Sequence, residues 1–357
     1  MSHYQLNKGV AVITLDRLPV NVLALPLRRK LGGARLAALG DSAANAIVIT
    51  GAGRGFSAGG DFTEFDGPAV NQEPTLPTLF ARIEASPKPV VAALHGVAVG
   101  GGLELAMACH ARVAHVQTQV GLPEVHLGLL PGAGGTQRLP RLIGLELAFN
   151  MIVQGQTMPA QALRSTGLFD VLTEGDALTE AIALAAKLAC QMQSGGGLKR
   201  TGALHVQMPN AEAFLAFGRA TVKARARGMP APLACVDCLE LAVTVPFEEG
   251  LRREHQAVVE LCSTPQFAGL RHAFQAERRA SQVSGLPADI KTRPIEQATV
   301  VGARTMGASI ATSLANADIP VTLIELEQAS LDRGLNAVWR NFESSLKKGK
   351  LSGLPAP

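Results

Sequence analysis

An α/β fold, followed by a run of helices and then by the opening of a second α/β unit, is what this sequence predicts. Three observations carry the prediction. Short apolar runs alternate with helical segments through the first part of the chain. The stretch 211–282 reads as helix throughout. Residues 298–302 then form a buried-type strand running into a glycine-spaced turn and another helix.

Taken in order, Val10–Leu15, 46–50 and Val90–Leu94 read as strands, and the last two run into Gly51 and Gly96, which suit tight turns. The segment 25–39 reads as a helix with Pro26 in its first turn. Gly101–Ala108, Leu145–Val153, 159–166 and 175–191 read as further helices. At Ser194-Gly195-Gly196-Gly197 the texture changes, which marks a boundary. Helices are expected at 211–226, 231–243, Phe247–Cys262 and 267–281; the last is basic and amphipathic, a pattern read as a solvated face. A polar stretch with Pro287 and Pro294 reads as a linker, and 298–302, 305–317, 320–325 and 328–348 as a β-α-β-α unit. The expected domains are 1–195, a helical extension at 196–282, the linker 283–297 and the unit 298–357.

Composition narrows the function. The chain is 357 residues long, 47% hydrophobic and 17% charged, enough for a sizeable core. A net charge of +4 is too mild for a nucleic-acid or membrane surface, and 4% aromatics argues against stacking platforms for single strands. No apolar run is long enough to span a membrane. Five cysteines and no secretory leader predict a reduced, cytoplasmic protein. Cys235-Val236-Asp237-Cys238 has metal or redox spacing, but no second pair completes it, and the two read as ordinary helix thiols; no metal site is expected.

Glu104 is the most informative residue. It lies in Gly100-Gly101-Gly102-Leu103-Glu104-Leu105-Ala106-Met107-Ala108, small or apolar on every face a helix offers. A lone carboxylate buried there is costly and implies a task. The glycines stand where free N–H groups of a helix start can meet negative charge. Two further segments join it. Phe56-Ser57-Ala58-Gly59-Gly60-Asp61-Phe62 follows the strand 46–50, at the strand end where α/β folds bind ligands. Gly121-Leu122-Pro123-Glu124 embeds a second acid in apolar sequence, ahead of Leu130-Pro131-Gly132-Ala133-Gly134-Gly135-Thr136, whose glycines start the next helix. Carboxylates move protons and backbone N–H pairs steady an oxyanion. Together they suggest proton transfer beside a polarised carbonyl, through an enolate. The helix dipole favours ionised Glu104 and its apolar walls oppose it; the sequence leaves the balance open.

These three segments, the spacing of Glu104 and Glu124, and His110-Ala111-Arg112-Val113-Ala114 resemble the crotonase (enoyl-CoA hydratase/isomerase) superfamily, with a likeness running to about residue 195. The resemblance implies a crotonase-like ββα spiral and hydration of 2-trans-enoyl-CoA in fatty acid β-oxidation, with Δ3-Δ2-enoyl-CoA isomerase activity from the same acids as an addition or a rival. It implies an oxyanion hole from the N–H groups of Gly60 and Gly101, Glu104 as the base for water, Glu124 as the proton donor, and a grip on coenzyme A by Asn21, Val22, Leu23, Ala24, Ala58, Gly59, Asp61 and Phe62. It gives no role to His95, His110 or His126, and hydration needs no cofactor. Stand-alone members form trimers and hexamers; fused ones act alone or in complexes with other β-oxidation subunits.

The tail resembles a dinucleotide fingerprint. Gly302-Ala303-Arg304-Thr305-Met306-Gly307 follows a strand and opens a helix, and Glu325 ends the second strand. The order of parts resembles an enzyme fusing a hydratase/isomerase to a 3-hydroxyacyl-CoA dehydrogenase. Arg304 replaces the middle glycine, and the sequence given stops after one β-α-β-α unit, an incomplete Rossmann-type fold. Neither NAD binding at Gly302, Met306, Gly307 and Glu325 nor dehydrogenase activity is expected. The competing class is a non-catalytic remnant that binds acyl-CoA or a partner.

Overall fold

The computed structural model describes residues 4–280, 290 and 293–347. Most of the expected linker 283–297 and the positions 348–357 lie outside the described residues. The chain divides into two compact units, Met1–Gln282 and Val283–Pro357.

The first unit opens with β1 (Gln5–Asn7), β2 (Val10–Leu15), α1 (Leu25–Gly40), β3 (Ala46–Gly51), α2 (Leu76–Glu84), β4 (Val90–Leu94), β5 (Val97–Val99), α3 (Gly101–Ala108) and β6 (Ala111–His115). It continues with β7 (Gln119–Gly121), α4 (Gly135–Ile143), α5 (Leu145–Val153), β8 (Thr157–Pro159), β9 (Val171–Thr173) and α6 (Ala177–Gln193). Its main sheet has the order β1-β2-β3-β4-β6-β9 and is parallel apart from the edge strand β1. Both faces are buried. Ala11, Ile13, Ile47, Ile49 and Ala92 point into the large core, while Val10, Val12, Val48, Val91 and Val113 point into a smaller one. Burial on both faces explains why these strands read as unbroken apolar runs. The smaller core is closed by Ala177, Ala181, Ala185 and Ala189, one alanine per turn of α6, which lets the helix lie close on the sheet.

A second, three-stranded sheet has the order β5-β7-β8, and β5 and β7 are parallel with Val99 opposite Gly121. The helix expected at 159–166 is absent. Pro159 instead ends β8, paired with Gln119, and a short 3-10 turn follows at Ala160–Leu163. Three residues of sheet pairing outweigh the weak helical pattern there.

The extension forms α7 (Ala211–Arg225), α8 (Ala231–Thr244), α9 (Phe247–Cys262) and α10 (Pro265–Ala280). Leu215, Cys235, Leu239, Leu261 and Phe267 lie in the same large core as the sheet, so residues 196–280 close that core. The cysteines are free thiols, those of Cys235 and Cys238 buried.

The second unit consists of β10 (Ala298–Val301), α11 (Thr305–Ala315), β11 (Val321–Ile324) and α12 (Gln328–Lys347), with the strands parallel. No helix among the described residues is long and apolar enough to cross a membrane.

Candidate active site

β5 and β7 end side by side, and each delivers an acid. Beyond β5 the chain turns at Gly100, at φ +54, into α3 and Glu104. Beyond β7 it enters a 3-10 turn, Pro123–Leu127, that carries Glu124. Gly100 touches both arms. Its carbonyl accepts from Glu104 N–H at 3.0 Å, and a Cβ on it would stand 2.7 Å from Glu124 Oε1. Gly102 is small for another reason: a Cβ there would lie 2.4 Å from the Ser57 carbonyl oxygen, so the start of α3 rests on the backbone of residues 57–60.

That contact brings two amides together. A Cβ on Gly101 would lie 3.3 Å from Gly60 N. Among the described residues neither Gly60 N–H nor Gly101 N–H has a hydrogen-bond partner, and Gly101 is the first residue of α3. Two unpartnered donors, one of them at the positive end of a helix, therefore lie close together.

The acids sit in unlike surroundings. Glu104 is buried, and its Oε1 accepts from Ala133 N–H at 2.8 Å and Gly135 N–H at 2.7 Å. Burial raises its pKa; the two amides and the Arg138 guanidinium oppose the rise. Glu124 is partly accessible as a residue, yet its Oε2 is buried with no hydrogen-bond partner. Burial, then the charge of Glu104, push its pKa well above the ordinary carboxylate value. Both acids line one cavity of about 380 Å³, with Gly60, Gly101, Phe65 and Val258. A second cavity, of about 570 Å³, meets it at Gly60, Gly101, Phe62 and Glu124.

Other expected residues divide around these cavities. Val22, Ala58 and Gly59 line the larger, Leu23 and Asp61 the smaller, and Phe62 both. The Asn21 side chain is spent inside the protein, donating to the carbonyls of Ala52, Gly55 and Phe56, and Ala24 is buried outside either lining. Leu23 N–H and Ala58 N–H are also taken, by Gly59 and Val20. Asp61 pairs with Arg17 and caps Thr63.

A further acid, buried on α9, escaped the sequence reading. Glu254 of α9 accepts from Gly134 N–H at 2.6 Å and Thr136 N–H at 3.0 Å, and from the Thr136 hydroxyl. Burial and the charge of Glu104 push its pKa up to about 8. Its neighbours Glu248, Glu249, Arg252 and Arg253 give α9 a solvated look. The available signal was register: Glu254 falls on one stripe with the buried Gly250 and Leu261. Helix α10, expected as a helix with a solvated face, also lends Ala273 and Phe274 to the wall of the larger cavity, a part the sequence reading did not give it.

In the second unit Glu325 accepts from Ala303 N–H at 3.0 Å and Leu326 N–H at 2.9 Å. Met306 is exposed, and Gly307 packs against the carbonyl of Gly302. Arg304 stands where the fingerprint has its middle glycine, next to the Ala303 N–H that Glu325 engages.

Residues 5–198 match the family model described as enoyl-CoA hydratase/isomerase. The chain belongs to the enoyl-CoA hydratase/isomerase family. Residues 297–355 match a second model, the NAD binding domain of 3-hydroxyacyl-CoA dehydrogenase. Among curated relatives, the peroxisomal bifunctional enzyme of Danio rerio is 40% identical over 99% of this chain and 49% of its own length. That of Homo sapiens is 38% identical over 99% of this chain and 49% of its own length. The chain thus spans about half the length of these relatives. Among solved structures, an enoyl-CoA hydratase from Mycobacterium avium subsp. paratuberculosis K-10 aligns with a TM-score of 0.53 at 25% identity, over 77% of this chain and 95% of that one. That likeness agrees with the family match in giving the chain the fold of this family.

Proposed function

We propose that the first unit hydrates 2-trans-enoyl-CoA thioesters to 3-hydroxyacyl-CoA, as a step of fatty acid β-oxidation. The observation that carries this reading is the asymmetry of two acids beside two unpaired amides: Glu104 Oε1 accepts two N–H donors of the glycine loop that favour its ionised form, whereas Glu124 Oε2 is buried with none and only its own N–H supports that carboxylate. Environments that push two carboxyls apart in this way assign base and acid.

The thioester carbonyl lies at the junction of the cavities, its oxygen on Gly60 N–H and Gly101 N–H. The pantetheine arm runs through the larger cavity past Val22, Ala58 and Gly59, and the acyl chain enters the smaller one. There C2 and C3 meet both acids. Water held between the two carboxyls adds through oxygen to C3 while its proton passes to Glu104. The electron pair of the C2–C3 double bond moves toward the carbonyl, and the oxyanion formed is held by the two amides. Glu124 gives its proton to C2 as the carbonyl re-forms. Proton exchange between the acids and solvent restores the start. The same carboxyls can move a proton between C4 and C2, which is the isomerase reaction. No cofactor enters either path, and the second unit takes no part.

An oxyanion donor of this kind contributes about 3 kcal/mol to the barrier, and a positioned acid or base roughly 10²–10⁴-fold in rate. The test is loss of conjugated-thioester absorbance with crotonyl-CoA and longer homologues. Wild type turning over while Glu104→Gln and Glu124→Gln each lose at least 10²-fold supports the reading. A folded chain that hydrates none of them defeats it and leaves the non-catalytic alternative. The compartment we propose is the cytoplasm, where the five free thiols stay reduced. The animal relatives are named as peroxisomal; imaging of the tagged chain separates the two.

A further inference from the structure

The loop Gly132-Ala133-Gly134-Gly135-Thr136 presents four consecutive N–H groups in alternating directions. Ala133 and Gly135 donate to Glu104. Gly134 and Thr136 donate to Glu254. The loop is thus strung between an acid of the cavity and an acid of the helical extension. Local bonds hold only the loop's carbonyls, Arg138 Nη1 donating to that of Ala133 and Gln137 N–H to that of Gly134, and they leave its N–H groups without a local partner. Gly134 stands at φ +99, and glycine explores such conformations freely. The fixing comes from outside. Glu254 is 1% exposed and anchored on α9, which presses on α4: a Cβ on Gly250 would lie 2.2 Å from Gln137 Oε1. Thr136 completes the clamp, since its hydroxyl accepts a hydrogen bond from Gln137 Nε2 at 3.0 Å and donates one to Glu254.

We infer that Glu254 is a positioning residue for Glu104: by holding the amides of Gly134 and Thr136 it aims those of Ala133 and Gly135 at the Glu104 carboxylate, so that the helical extension supplies a working part of the hydration site. The inference rests on the hydratase reading. Glu254 does not line either cavity. It acts through the loop. The ionisable groups around it are Glu104, Glu124 and Arg138, with the Cys235 and Cys238 thiols of α8. Of these only Glu104 also accepts from amides of the loop.

A mutant cycle on the full chain tests this with crotonyl-CoA. Glu254→Ala is expected to lower kcat roughly 10–100-fold with KM changed less than about two-fold, as for a misplaced base in an intact cavity. Glu254→Gln keeps one carbonyl acceptor and is expected to fall between the alanine variant and wild type. In a Glu104→Gln background, either Glu254 change is expected to cost no more than about two-fold further, because the residue it positions is already disabled. Additive losses in the double variant, or an unchanged kcat in a folded single variant, overturn the inference. If the alanine variant does not fold, the glutamine variant carries the same cycle. Inactivity of wild type itself defeats the hydratase reading instead, so the two failures are distinguishable.

Discussion

Glu104 and Glu254 divide the amides of one glycine loop, Glu104 taking Ala133 N–H and Gly135 N–H and Glu254 taking Gly134 N–H and Thr136 N–H. One acid comes from the domain the sequence marks as chemical and the other from helices that read as a plain extension. The loop is sensitive to any added atom. A Cβ at Gly135 would stand 2.6 Å from Pro131 Cβ and 2.7 Å from Glu104 Oε1. Gly135→Ala is therefore expected to displace the Glu104 carboxylate and lower kcat about 10²-fold, with a stability loss of about 1–3 kcal/mol. Steady-state kinetics and urea unfolding check both parts.

The pH dependence of turnover follows from the same surroundings. Burial raises the pKa of Glu104 and burial with the Glu104 charge raises that of Glu124 further. Hydration needs Glu104 ionised, so the acid limb of the kcat profile is expected to lie above the ordinary carboxylate value of 4.5. The basic limb, where Glu124 loses its proton, is expected to disappear in Glu124→Gln along with most of the rate. A profile that is flat down to pH 4.5 contradicts this assignment of base and acid.

Much of this site could be read in the residues, and the reasons are local. Glu104 announced itself because its own helix is apolar all round, and that is what the structure contains: every residue of α3 is buried. Unbroken runs at β2, β3 and β4 were legible because a sheet buried on both faces needs them. The short strands β5, β7 and β8, three residues each, carry too few positions for a period. Glu254 was hidden because its burial is made by α4 and the glycine loop, far away in sequence, while its neighbours on α9 are charged. The shared core of the extension and the sheet could not be read from composition for the same reason: helix faces show that they are apolar, not what they meet.

Glu254 also sets a pH dependence of stability. Its pKa is pushed up to about 8 in the folded protein from an ordinary 4.5. The folded state then holds this proton more tightly than the unfolded one. The stability it contributes is complete below 4.5 and is lost as pH rises through about 8. The melting temperature is expected to fall over that interval, and in Glu254→Gln to fall less steeply. Calorimetric scans of both proteins across the interval check the difference in slope.

Behind the loop, Arg138 is buried between the Ala133 carbonyl, at 2.9 Å, and Glu84, at 2.7 Å. The other Glu84 oxygen accepts from Gly202 N–H at 2.7 Å, at the start of the helical extension. Arg138→Met removes one partner of a buried pair and strands the other. A loss of about 3–5 kcal/mol is expected, whereas Arg138→Met with Glu84→Met together is expected to recover much of it. Urea unfolding of the two variants decides the point.

In the hydration proposed above, the acyl chain enters the smaller cavity, and the wall of that cavity is expected to set chain preference. Its wall includes Phe65 and Val70 from the segment after β3 and Val258 and Cys262 from α9. The segment is held by Arg28, which is buried and donates to Glu64, the Ala69 carbonyl and the Pro74 carbonyl. The α9 side is the simpler place to change the volume, because Cys262 is small and carries no hydrogen bond that the loop needs. Cys262→Trp fills space at that wall, away from the junction where the carbonyl sits. Short substrates keep their room, and long ones must bend or leave methylenes in water, at about 0.8 kcal/mol for each one not buried. The expected outcome is a roughly ten-fold or greater loss of kcat/KM for palmitenoyl-CoA with less than about two-fold for crotonyl-CoA. Equal losses for both chain lengths would mean that the acyl group takes another route.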